Sequence, residues 1–100
     1  MQLVAMDVRG LSSITDYFVI CSGDSEPQVK AIADNIRKGT PKKPNHLEGY
    51  ENLNWVLMDY FDVVVHVFGK DDRGYYNIEK LWADAPITEF TDEAPETTDF

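Results

Sequence analysis

The side chains with the most chemical potential lie close together in the second half of the chain, where Asp59 and Asp62 are three residues apart and His66 follows four residues later. Two carboxylates beside an imidazole are the raw material of divalent-metal chemistry or of general acid–base catalysis. Their spacing argues against it. In an extended strand Asp62, Val64 and His66 share one face, while Asp59 precedes a tight turn whose geometry the sequence does not fix. A turn-capping aspartate and a core-edge histidine account for the same residues without chemistry. Cys21, His46 and His66 supply no metal-ligand spacing either, since the chain has neither CxxC nor HxxxH. We therefore expect no catalytic residue, no metal and no cofactor. A metal-dependent enzyme built on Asp59 and Asp62 is the alternative.

Two other groups bear weighing. Ser22-Gly23-Asp24-Ser25 joins a strand to a helix, where backbone N–H groups bind phosphate in other folds. It has one glycine, matches neither GxGxxG nor GxxxxGK, and puts Asp24 and Glu26 where an anion would sit. The second group is aromatic: Trp55, Tyr60 and Tyr76 all fall near the ends of predicted elements. Large aromatics anchor protein interfaces, and single surface aromatics are also ordinary. The residues alone leave both readings open.

The elements that carry these residues follow from patterning. Residues 2–8 and 16–22 read as strands, nearly continuously apolar and so belonging inside a sheet, with the Gly10 and Ser12-Ser13 turn between them. Ser25 caps a helix, with Pro27 in its first turn, Gln28 in capping-box register, Val29, Ile32, Ala33 and Ile36 on one stripe, and Gly39 as its stop. Pro41 and Pro44 make 40–45 a loop. Trp55–Tyr60 and Asp62–Phe68 form an antiparallel hairpin about Tyr60-Phe61-Asp62, and Val63–Phe68 is β-prone enough to be central. A last helix over 73–83 aligns Tyr75, Ile78, Leu81 and Trp82. This order predicts an α+β or α/β fold, a mixed sheet flanked by helices. With nothing ahead of the first strand to cover its second face, a missing segment or a partner copy is expected to do so.

The 100 residues, 43% of them hydrophobic, suffice for one core and exclude a two-domain enzyme. Nine bases against 18 acids give a net charge of −9, the wrong sign for affinity that comes from neutralising phosphates, so neither DNA nor non-specific RNA binding is expected. Six of the acids fall in 84–99 with no base among them. The expected organisation is one domain over 1–84 and an acidic, disordered tail over 85–100. Cys21 sits in an apolar run and reads as buried. No stretch approaches the roughly 20 apolar residues of a membrane span, and no signal peptide is visible, so a cytoplasmic protein is expected.

The run Asp7-Val8-Arg9-Gly10-Leu11-Ser12-Ser13-Ile14-Thr15-Asp16-Tyr17-Phe18-Val19-Ile20-Cys21-Ser22-Gly23 resembles the opening signature of the ribosomal silencing factor, or Iojap-like, family. Three further blocks match in order: Gln28 to Asp34, then Glu48-Gly49 with Trp55 to Tyr60 and Asp62 to Phe68, then Tyr76 with Glu79 to Trp82. The resemblance covers about residues 4–84. It implies a nucleotidyltransferase-like fold without known catalysis. It also implies a homodimer that binds the large ribosomal subunit through its protein L fourteen, blocks joining of the small subunit and represses translation when nutrients fall. By matching position, Trp55, Tyr60 and Tyr76 resemble the residues that grip that ribosomal protein. Family members carry a helical segment before the first strand, which is expected to be missing here. They commonly place Gly where this chain has Phe61, so a different turn is expected, because bulky residues resist positive φ.

Overall fold

The computed structural model describes residues 3–90. Strands β1 (Leu3–Asp7) and β2 (Tyr17–Gly23) are followed by helix α1 (Glu26–Gly39), then by β3 (His46–Glu48), β4 (Trp55–Asp59) and β5 (Val63–Gly69). Two short helices, α2 (Lys70–Tyr76) and α3 (Ile78–Leu81), lead to β6 (Ile87–Phe90). One mixed sheet results, in the order β3-β4-β5-β2-β1-β6. Only β2 and β5 are parallel; every other pair is antiparallel. The β-branched run that opens β5 is buried on both faces, as an interior strand requires.

Helix α1 begins as its sequence dictates. Ser25 Oγ accepts the Gln28 backbone N–H at 3.3 Å, and the Gln28 side chain reaches back to the Asp24 N–H, one residue beyond the usual capping-box partner. Val29 and Ala33 are fully buried against Cys21, Val56, Met58, Val65 and Val67. A Cβ on Gly23 would stand 2.9 Å from the Val29 nitrogen, so glycine there lets the helix lie close on β2. The helix stops at Gly39, as expected, with Thr40 as its extended cap. Pro41 is the cause, since the residue before proline avoids helical geometry.

The other sheet face has its own core, in which Met6, Val8, Ile20 and Phe68 are fully buried beneath Ile78, Trp82, Phe18 and Trp55. The expectation of a bare second face is thus corrected: α3 and the chain just after it cover it. The single helix over 73–83 is also corrected. It breaks at Asn77, which takes the left-handed conformation with φ 50, so Ile78 and Trp82 pack on the core while Tyr75 (81% exposed) and Leu81 (74%) face solvent. Arg73, buried in the preceding turn, donates through Nε and Nη2 to the two Glu79 carboxylate oxygens at 3.0 and 2.9 Å, and through Nη1 to Ser22 Oγ at 3.4 Å. Residues six apart lie about 120° round a continuous helix; the break at Asn77 lets this fork close.

The boundary expected at residue 84 differs as well. Ala85 is buried, Asp7 N–H donates to the Pro86 carbonyl at 2.9 Å, and β6 pairs with β1. The open edge of β1 offers unpaired backbone groups, which an extended segment of any polarity satisfies; all four β6 residues remain exposed. The rest of the expected tail, 91–100, lies outside the described residues. Strand β3, three residues long, is too short for its alternation to be legible.

Candidate functional site

The two aspartates flank a tight turn that engages one of the carboxylates. Asp59 Oδ1 accepts the Phe61 N–H at 2.8 Å, the turn-capping role, and the Asp62 N–H donates to the Tyr60 carbonyl at 2.9 Å. That bond skips one residue and puts Phe61 at φ 74, the geometry of a γ-turn. The left-handed position that glycine favours is thus kept despite the bulky side chain, against expectation. Asp62 is exposed beyond the strand. Among the described residues no group of three or more His, Cys, Asp or Glu side chains is arranged to hold a metal ion. Cys21 is buried, and burial raises its thiol to a pKa of about 11, which disfavours the nucleophilic thiolate.

His66 is 4% exposed on β5. The register sets it beside Leu57 and sets Phe68 beside Trp55. Its Nδ1 accepts the Trp55 indole N–H at 3.0 Å, which leaves the ring proton on Nε2, a buried atom with no partner. Burial lowers the His66 pKa to about 4, so the ring is neutral near pH 7. Around this pair runs a continuous aromatic ladder. Tyr76 meets Trp55 with ring centres 4.6 Å apart, Trp55 stacks on Phe68 at 5.1 Å, His66 meets Phe18 edge-on at 5.1 Å, and Phe18 meets Trp82 at 5.3 Å. Tyr75, edge-on to Tyr76 at 5.1 Å, extends it into solvent. The ladder runs from a fixed, half-buried indole to two exposed phenols, the form of a protein-binding anchor with a rigid base.

Of the three aromatics singled out in the sequence, the structure brings Trp55 and Tyr76 into contact and sets Tyr60 elsewhere. Trp55 packs with the α3-side core and Tyr60 with the α1-side core. Five residues of strand also separate them by about 17 Å along β4. The Tyr60 hydroxyl lies 3.1 Å from Thr40 Oγ1, in a groove of about 600 Å³ that Phe61, Lys42 and Lys43 help to line. Tyr75 and the His66 acceptor were missed from sequence. Tyr75 lay in a stripe that the Asn77 break dissolved. His66 needed the hairpin register: a turn centred on Phe61 would set Trp55 opposite Val67, and the observed pairing is shifted by one.

Residues 1–99 match the model of the family described as "Ribosomal silencing factor during starvation". Ribosomal silencing factor RsfS of Halalkalibacterium halodurans is 54% identical over 91 residues, 88% of this chain and 78% of that protein. Its Bacillus subtilis counterpart is 48% identical over 90 residues, 87% of this chain and 76% of that protein. A crystal structure from Chromobacterium violaceum, 34% identical, superimposes with a TM-score of 0.76 over 93% of this chain and 80% of that one. On sequence and on fold alike, the chain belongs to the ribosomal silencing factor family, a family of ribosome-associated translation regulators.

Proposed function

We propose that this protein docks on the large ribosomal subunit through ribosomal protein L fourteen, blocks joining of the small subunit, and so represses translation when nutrients fall. In this reading it acts in the cytoplasm by occupancy and not by catalysis. The observation that carries the reading is the contact of Trp55 with Tyr76 on an exposed ladder, in a chain of this family. The net charge of −9 supports it, since an acidic protein is steered towards a basic ribosomal partner. The carboxylate at Asp59 is spent on its own turn, which favours a binding role for the hairpin over metal chemistry. Tyr60 joins the same interface only if the partner wraps the hairpin from one end to the other. A homodimer completes the reading: Leu3, Ala5 and Tyr17 beside the exposed β6 remain only half-buried, a surface a second copy can cover.

Sedimentation with separated subunits tests the reading. The protein is expected to pellet with the large subunit and not the small one, to bind isolated protein L fourteen, and to lower the yield of joined ribosomes. Failure to pellet with large subunits at moderate salt refutes it. Tyr76→Ala is expected to weaken binding at least about tenfold while lowering stability by only about 1 kcal/mol, the share of its ring contact with Trp55, and light scattering at micromolar concentration is expected to give a mass twice the 11.4 kDa of one chain.

A further inference from the structure

The overall negative charge hides a local reversal. Arg37, Lys38, Lys42 and Lys43 gather four of the nine cations into seven residues, and no acid occurs between positions 35 and 47. All four are exposed. Arg37 and Lys38 occupy the last turn of α1, and the following loop folds back so that Lys43 lines a cleft of about 300 Å³ with Arg37, Lys38 and Asp34. Lys43 also lines the larger groove beside Lys42 and Tyr60, so the four cations form one strip along the two depressions. Among the described residues none of the four forms an ion pair. The Asp34 carboxylate is already engaged, accepting from Lys30 Nζ at 2.8 Å and the Tyr50 hydroxyl at 2.9 Å. Asp62 lines the far groove and is the other acid in reach. The Arg37 guanidinium lies 5.3 Å above the Tyr50 ring, which steadies it.

Like charges brought together with no ion-paired acid among them repel one another. The α1 dipole offsets this for Arg37 and Lys38 at the helix C-terminus, but Lys42 and Lys43 lie beyond its reach. The strip also sits at the Tyr60 end of β4, away from the Trp55 ladder, and its sign is wrong for a basic ribosomal protein. On a ribosomal subunit the matching polyanion is RNA. We propose that this strip binds the phosphate backbone of ribosomal RNA, as a second contact that orients a protein already held through the Trp55 and Tyr76 surface. The inference rests on the ribosome-docking reading above. Lysine contacts to phosphate carry no sequence information, so the strip supplies orientation and salt-dependent affinity while the aromatics supply the choice of partner. Because the chain as a whole is acidic, the strip acts through the high local concentration that docking provides.

The test compares the unaltered protein with a K38Q/K42Q/K43Q variant, sparing the stacked Arg37. Binding to large subunits is measured over a salt series, and binding to isolated protein L fourteen is measured alongside. The variant is expected to lose about tenfold or more in subunit affinity at moderate salt, and its slope of log affinity against log salt is expected to fall by about one for each lysine that meets a phosphate. Its affinity for the isolated ribosomal protein and its melting temperature are expected to stay unchanged. Unchanged subunit affinity and slope overturn the RNA contact while leaving the docking reading intact. A parallel loss towards the isolated ribosomal protein overturns it too, by assigning the strip to that partner. If the unaltered protein binds no subunit, docking and strip fall together.

Discussion

The two ends of strand β4 are built for different work. At the Trp55 end the indole is fixed on three sides, by its N–H to His66, by Phe68 beneath it and by Tyr76 beside it. At the Tyr60 end one hydroxyl meets Thr40 across an open groove edged by lysines, and the turn is strained at Phe61. One end is a packed aromatic cluster; the other is an open groove edged by cations. The lesson is that residues grouped by sequence block need not form one surface, because an odd number of steps along a strand changes the face as well as the position.

The comparison breaks most severely at Gly49. Its φ is 96, and an added Cβ would stand 1.9 Å from the Trp55 carbonyl oxygen. Gly49→Ala is expected to cost about 3 kcal/mol or more and to displace Trp55, seen as a fall in the urea midpoint together with a change in tryptophan fluorescence. Ala at Gly39, where an added Cβ meets nothing, serves as control.

Next in size is the response to acid at the same end. The folded-state pKa of His66 is lowered to about 4 from 6.5, so between these values the unfolded chain binds the proton that the folded one refuses. Stability therefore rises with pH across that window, is fully present above 6.5, and is lost as pH falls towards 4; the contribution is about 3 kcal/mol. His66→Gln, which keeps an acceptor for the Trp55 N–H, is expected to flatten this part of the pH profile of the urea midpoint. A profile as steep as that of the unaltered protein refutes the assignment.

Coupling sharpens the comparison further. Trp55→Ala is expected to reduce stability as well as binding, since its ring belongs to the core cluster. In double-mutant cycles read by urea unfolding, Trp55→Ala and Tyr76→Ala are expected to couple by about 1 kcal/mol through their shared ring contact, whereas Trp55→Ala and Tyr60→Ala are expected to add. Equal coupling of both pairs would show the hairpin acting as one unit.

The smallest effect is at the strained turn. Phe61 is 65% exposed and holds φ 74, so little burial is lost on removing its ring. Phe61→Gly is expected to raise stability by about 1 kcal/mol, measured as a higher urea midpoint.

The sequence by itself determined the elements whose signals are local. The Ser25 cap with Pro27 and Gln28 marked the start of α1 at the residue that caps it, the apolar runs marked β1, β2 and β5, and the near-continuous β-branched run put β5 in the sheet interior. The four blocks of family resemblance were equally legible, as was the turn-capping use of Asp59. Tertiary structure alone decided what depends on distant partners. The Asn77 break goes together with the closing of Arg73 on Glu79 and on Ser22, the latter 51 residues earlier in the chain. Strand β6 exists because β1 offers an open edge, with no hydrophobic pattern to announce it. The pairing of Trp55 with His66 and Tyr76 depends on a one-residue choice of hairpin register and on the docking of α2, and neither leaves a trace in local composition. Local propensity and capping are properties of neighbours in the chain, whereas register, edge pairing and buried ion-pair closure are settled only when separated segments meet.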